Sequence, residues 1–193
     1  MEELKIEKEI AEEISKTFHS AEVTVKREKR VVVKLRDDLI TPFLSYAKNN
    51  MNFIHLAHIS CVDWLEDNKF ELIYSLLNYD NKVMILAKTY IDRENPEFVS
   101  HTNYWDQAET YEREMREMYG INFKGNKRLT EFILEDWQGI PPMRRDFDTV
   151  KFSQDTFYNR PGRENAQDVR TTVTKKSGEE IPEIGKDYTV RNL

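Results

Sequence analysis

Apolar residues fall four apart over residues 3–18, at Ile6, Ile10, Ile14 and Phe18, with Glu and Lys filling the positions between. That spacing lays one apolar stripe along a helix. The period then drops to two. Val23 and Val25, then Val31, Val33 and Leu35, predict a β-hairpin around the charged turn Lys26-Arg27-Glu28-Lys29-Arg30. A second helix follows, because Asp38 or Thr41 can cap it, Pro42 fits a first turn, and Phe43, Leu44, Tyr46 and Ala47 supply a buried face. Three strands come next, over 53–64, 70–79 and 82–90, joined by turns at Leu65-Glu66-Asp67-Asn68 and at Asp80-Asn81. The order α-β-β-α-β-β-β describes a two-layer α+β domain with its helices on one face of the sheet.

A third helix is expected over 103–119, with Tyr104, Ala108, Tyr111, Met115 and Met118 as its stripe and Gly120 as its stop. Glu109–Arg113 and Glu112–Arg116 are spaced as i,i+4 ion pairs, each worth ~0.3–0.5 kcal/mol. Residues 122–147 show no period. Residues 148–193 are polar, with widely spaced Phe152, Phe157, Tyr158, Ile181, Ile184 and Tyr188, too few to build a core. The chain therefore reads as an α+β core domain (1–95), a helix with a motif-rich segment (96–147) and an extended C-terminal tail (148–193) that orders by lying on another surface. The last third is expected to take its order from contact with other proteins.

Length and charge narrow the functions. A chain of 193 residues buries one sizeable core. A net charge of −6 and a pI of about 5.4 repel a nucleic-acid backbone, which opposes RNA stacking on Phe70 and Tyr74 of the sheet. Cys61 is the single cysteine, so this chain alone builds neither an intrachain disulfide nor a Cys-ligated cluster. The acidic N-terminus has no apolar stretch behind it, which predicts no signal peptide. Val83–Ala87 falls far short of the ~20 apolar residues a spanning helix needs.

Candidate chemistry is sparse. His55, His58 and Cys61 suggest a metal triplet, but on a regular strand His55 and Cys61 share a face about 20 Å apart and His58 points away, so they read as ordinary strand positions. Glu109, Glu112, Glu114 and Glu117 are interleaved with Arg113 and Arg116, with no His at helical spacing; this is a charged helix face, solvated or docked, rather than a di-metal site. Asp63 is a catalytic carboxylate on position alone, and more simply a turn-capping residue before Trp64. Phosphate loops, nucleophile elbows, Cys-x-x-Cys and His-Glu-x-x-His are absent from the sequence. The run Pro141-Pro142-Met143-Arg144-Arg145-Asp146-Phe147 is different. Two prolines hold the backbone extended, Arg144 and Arg145 can grip carboxylates, and Met143 and Phe147 can fill pockets, which together predict an interface.

Trp105-x-x-Ala108, Glu112-Arg113-Glu114, Tyr119-Gly120-Ile121-x-Phe123, Asp136-Trp137-x-Gly139 and the Pro-Pro-Met-Arg-Arg-Asp-Phe run resemble, in order and spacing, the signature of the thirty-kilodalton subunit of respiratory complex I. This small hydrophilic protein has relatives in energy-converting membrane-bound hydrogenases and related archaeal complexes. Val62-Asp63-Trp64 resembles the family's strand ending, and the likeness covers roughly residues 3–147. The resemblance implies a non-catalytic subunit of an oxidoreductase and ion translocase that holds no iron–sulfur cluster, flavin or quinone. Iron–sulfur clusters are expected in partner subunits. The chain would pack on a hydrogenase-like large subunit at the cytoplasmic side of the cell membrane, held there by its partners, with its tail (148–193) wrapping partner subunits. Glu112, Arg113, Glu114, Trp137, Pro141, Pro142, Met143, Arg144, Arg145, Asp146 and Phe147 are the expected partner contacts. Asn126-Lys127 after Gly125, Ile140-Pro141 after Gly139, and Glu117 depart from the family's Gly-His-Pro segments and its usual Asp. These departures favour a ferredoxin-linked hydrogenase or sulfur-reducing branch over an NADH:quinone enzyme. A free-standing enzyme using Asp63 or the helix carboxylates is the remote alternative.

Overall fold

The computed structural model of this chain describes residues 4–158. The period-four stripe forms helix α1 (Lys5–Thr17), rotated from its expected register. Ile10 and Ile14 are buried, but Ile6 is 47% exposed and Glu7 takes the inward position instead. A carboxylate tolerates that place only with a donor, and the backbone N–H of Lys29 supplies one to Glu7 Oε1 at 2.7 Å. The bond ties α1 to the tip of the hairpin β1 (Glu22–Arg27) and β2 (Arg30–Lys34), where Val23 faces Val33 and Val25 faces Val31.

Helix α2 (Asp37–Asn49) begins earlier than Pro42 indicates, and neither Asp38 nor Thr41 caps it. Pro42 lies inside and forgoes one i→i−4 bond near the helix start. Thr41 is left to pair across the core. Strands β3 (His55–Trp64), β4 (Lys69–Leu77) and β5 (Met84–Asp92) form the expected antiparallel meander, and β2 joins β5 in parallel to give the order β1-β2-β5-β4-β3. The β4–β5 connection is no two-residue turn. Asn78 is buried, accepts N–H bonds from Asp80 and Asn81, and donates to the Met51 carbonyl at 3.1 Å, which holds a longer loop over 78–83.

The core fills the space between the sheet and the helices, and includes Phe43 and Leu44 of α2 with Leu72, Leu76 and Ile85 of the sheet. Phe70 and Tyr74 are fully buried in it, so neither offers a ring face on which an RNA base could stack. A bulge between Leu56 and His58 breaks the alternation of β3. Leu56 is buried ahead of the bulge, and Ile59, Cys61 and Asp63 are buried after it. His55 and Cys61 therefore lie on opposite faces, contrary to the regular-strand expectation.

The third helix, α3 (Ala108–Tyr119), starts later than residue 103 and is flanked by two short parallel strands the pattern did not predict, β6 (Glu97–Val99) and β7 (Asn122–Lys124). It lies along the open edge of β3. Trp105 Nε1 donates to the Ile54 carbonyl at 2.8 Å and Tyr111 Oη to that of Ala57 at 2.9 Å, satisfying edge groups that no further strand pairs. Phe98, Trp105, Met115, Tyr119 and Phe123 join the core of residues 1–95, and the chain divides into units Met1–Phe147 and Asp148–Leu193. In the second unit the described residues include a short helix, α4 (Thr149–Ser153), capped by Asp148, whose Oδ1 accepts from the Lys151 N–H at 2.9 Å. Of the expected anchors, Ile181, Ile184 and Tyr188 lie outside the described residues, as do the side chains of Phe157 and Tyr158. Among the described residues, no helix is long and apolar enough to cross a membrane.

Candidate functional site

Helix α3 organises the motif-rich segment from both of its faces. Inward, Glu112 is fully buried. Its Oε2 accepts from the Ser100 hydroxyl at 2.7 Å and from Asn126 Nδ2 at 2.9 Å, and its Oε1 accepts from the His101 N–H at 2.7 Å. Burial raises its pKa against these donors. The side chain thus joins the end of β6, the helix and the loop after β7. The ion pairs expected on α3 are not formed: Glu112 has no arginine partner, and Glu109 faces Arg128 at 3.8 Å. His101, also fully buried, shares a hydrogen bond of 3.0 Å between Nε2 and Thr41 Oγ1 and stands edge-on to Tyr74 at 5.0 Å. Burial lowers its pKa to about 4.

The outward face of α3 holds a strap of chain over 130–133. Arg113 donates to the carbonyls of Thr130 and Glu131, and Glu117 accepts from the N–H groups of Phe132 at 2.7 Å and Ile133 at 2.8 Å. One cation and one anion, a helical turn apart, therefore satisfy both polarities of the strap's backbone. The Arg113 guanidinium also covers the Phe132 ring at 5.1 Å. Ile133 nevertheless stays 60% exposed.

A second strap, 140–147, crosses the C-terminal end of α3. The Met143 N–H donates to the Met118 carbonyl at 3.0 Å and Arg144 Nε to that of Tyr119 at 2.8 Å. Gly120 adopts φ +82°, and a Cβ there would stand 3.2 Å from Pro141 Cγ. Beneath the strap lies a buried charge cluster. Arg93 donates through Nε to Asp63 Oδ1 at 2.7 Å and through Nη2 to Asp63 Oδ2 at 3.1 Å and to Asp146 Oδ1 at 2.7 Å. The Arg145 N–H donates to Asp63 Oδ2 at 2.9 Å, and its side chain pairs with Glu66 at 2.6 Å. Burial pushes the Asp63 carboxyl up, but Arg93 and the Arg145 N–H outweigh it and leave the pKa below the ordinary value.

Asp63 is therefore an ion-paired anchor, and it does not cap the turn after Trp64. Arg144 and Asp146 point into their own chain, whereas Met143 is 56% exposed. Trp137 stacks near Phe147 at 5.7 Å and donates to the Ile140 carbonyl at 3.1 Å. Residues 130–147 thus owe their order to α3 and the sheet end, and the expectation that the whole last third is ordered from outside does not hold for them.

A family model described as respiratory-chain NADH dehydrogenase, 30 Kd subunit, matches residues 17–153. The chain belongs to this family. A subunit of the F420H2 dehydrogenase of Methanosarcina mazei is 35% identical over 104 residues, spanning 53% of this chain and 66%, just under two thirds, of that one. A subunit of the NADH-quinone oxidoreductase of Moorella thermoacetica is 30% identical over 136 residues, spanning 70% of this chain and 91% of its own. Among solved structures, a chain of the membrane-bound sulfane sulfur reductase, an archaeal respiratory membrane complex, superposes with a TM-score of 0.76 at 29% identity, covering 85% of this chain and 97% of that chain.

In this thirty-kilodalton-type subunit the signature is mostly internal. Trp105, Ala108, Glu112, Tyr119, Ile121 and Phe123 are buried. Asn126, one of the departures from the family's pattern, supplies a donor to Glu112. Among the described residues, no group of three or more His, Cys, Asp or Glu is placed to hold a metal ion. Arg93, Ser100 and His101 were missing from the expected site. Their partners in the site lie 11 to 60 residues away in sequence, so no local spacing announces them.

Proposed function

We propose that this chain is a non-catalytic, cofactor-free peripheral-arm subunit of a complex I-like membrane-bound oxidoreductase, and that its two α3 straps dock on the hydrogenase-like large subunit. One observation carries the reading. The straps are fixed by internal polar bonds, yet they hold Phe132, Ile133, Ile140 and Met143 at 38%, 60%, 50% and 56% exposure. Apolar side chains on an already ordered backbone lose little entropy on association, which is what a pre-organised interface requires. Of the expected contacts, Glu112, Arg144 and Asp146 act from within, while Glu114, Met143 and Arg145 remain available to a partner. Redox chemistry belongs to iron–sulfur clusters in neighbouring subunits. The lone Cys61 is buried and its thiol pKa raised by that burial, which makes it a poor thiolate ligand. Attachment to the cytoplasmic side of the membrane runs through those neighbours.

The likeness to the sulfane sulfur reductase chain over nearly its whole length supports a ferredoxin-linked, sulfur-reducing or hydrogenase branch. The Moorella thermoacetica relative favours a second reading, the corresponding subunit of an NADH:quinone enzyme. Purification in mild detergent tests the assignment: the chain should travel with a large subunit and iron–sulfur proteins, and by itself be colourless. Ile133→Asp with Met143→Asp should deplete it from the complex. Stoichiometric iron or flavin on the isolated chain, or a native chain that never co-purifies with other subunits, defeats the proposal. Turnover with reduced ferredoxin against NADH then separates the two branches.

A further inference from the structure

Two arginines of α3 are left without the carboxylates their spacing assigns them. Arg113 donates to backbone carbonyls and covers the Phe132 ring, and Arg116 reaches the amide oxygen of Asn122 at 3.4 Å. Neither guanidinium has a carboxylate partner among the described residues. Both face an open groove of about 780 Å³ whose apolar lining is Leu129, Leu134, Trp137 and Pro141. Two carboxylates share the groove, but both oxygens of Glu117 are occupied by strap N–H groups, and Glu131 is exposed. The two guanidinium groups of this concave site therefore keep N–H donors that neither carboxylate of the lining takes up. Guanidinium forks match carboxylates in bidentate geometry, and apolar walls around them exclude water and strengthen such a bond.

We infer that this groove binds an acidic segment of the partner large subunit, an Asp or Glu carboxylate seated on Arg113 and Arg116 with a neighbouring apolar side chain against Leu129, Leu134 and Pro141. The inference rests on the docking reading above and names the chemistry that the docking face selects. Arg116 is exposed, so it can be changed without opening the core.

Arg116→Lys places an amine where the guanidinium stood, and a carbodiimide will couple that amine to any carboxylate in contact. In the purified complex carrying this variant, mass spectrometry should find an amide link between position 116 and an Asp or Glu of the large subunit, beside an apolar residue. In parallel, Arg116→Glu should cut retention of the chain in the complex by about tenfold or more while the melting temperature of the isolated chain is unchanged, and Arg116→Lys should retain most of it. An intact complex in which position 116 links only to Glu117 or Glu131 of its own chain, or to nothing, overturns the inference. So does Arg116→Glu retained like the native chain. In both cases the docking reading stands if Ile133→Asp with Met143→Asp still depletes the chain. If the native chain itself fails to co-purify, the docking reading has failed, and the inference falls with it.

Discussion

Arg93→Met should be the most informative single substitution outside the signature. The guanidinium is 8% exposed and bridges Asp63, whose side chain is 2% exposed, to Asp146, which is 39% exposed. Methionine fills similar space and carries no charge. Its introduction leaves a buried carboxylate with one remaining N–H donor, from Arg145, and breaking a buried pair in this way costs about 3–5 kcal/mol. Asp146 returns to solvent and adds less than about 1 kcal/mol. A loss near 4 kcal/mol is a large share of the roughly 5–15 kcal/mol that hold a domain folded. The pH dependence should also reverse. In the native chain the folded pKa of Asp63 is depressed, so its contribution is present above the unfolded carboxylate pKa and lost as pH falls through the folded value. Without Arg93, burial dominates and lifts that pKa, so the variant loses stability as pH rises. Urea unfolding followed by circular dichroism at about pH 4 and pH 7 should show a deficit that is larger at pH 7. Asp63→Leu combined with Arg93→Met should recover at least half of it. A deficit under about 1 kcal/mol, one that does not vary with pH, or a double variant no better than the single refutes the ion-pair account.

Glu112→Ala leaves the Ser100, His101 and Asn126 donors unpaired in the core and should cost about 3 kcal/mol or more in thermal melting, whereas Glu112→Gln keeps an acceptor and should cost less; equal losses would contradict the hydrogen-bond reading. His101 is neutral in the fold with a pKa of about 4, so its unfolded form takes up protons first, and stability should fall by about 3 kcal/mol as pH drops from about 6.5 to 4. His101→Gln should flatten that slope. Gly120→Ala forces an L side chain into φ +82° against Pro141 and should destabilise by about 1–2 kcal/mol, read from the urea midpoint. Glu117→Ala should speed amide exchange at Phe132 and Ile133 at least about tenfold with little change in global melting, since only the strap is released.

Where local period governs, the fold was legible. The meander, the hairpin and the three long helices follow from spacings of two and of three to four, and the glycine stop of α3 follows from the absence of a Cβ. Errors arose where one long-range polar bond outweighs periodicity. Glu7 displaces Ile6 because Lys29 offers it an N–H, and Glu112 is drawn inward by three donors from other elements. The bulge at Leu56–His58 reversed the expected facing of His55 and Cys61, and a one-residue irregularity of that kind leaves no compositional trace. The Arg93 cluster was invisible for a related reason. Asp63, Phe70 and Ile91 become neighbours only through the β3–β4–β5 register, which brings Arg93, just beyond β5, to Asp63, and hydrophobic alternation fixes that register without reporting which charges meet at the sheet end.

The division of labour between buried and exposed residues limits what family membership carries with it. Glu112, Tyr119, Gly120 and Arg144 make the chain resemble its relatives, and each is spent on folding α3 and seating the straps. Ile133 and Arg116 meet the outside and are not signature positions. A resemblance built on the first set transfers a scaffold and its presentation geometry, while the proposed docking depends on the second. On the docking reading proposed above, the branch of complex I-like enzymes to which this chain contributes is written in the chemistry of the strap surface and groove. Exchanging Arg116, Phe132 and Ile133 with the residues of an NADH-linked relative should change which large subunit retains the chain while leaving its own unfolding curve in place.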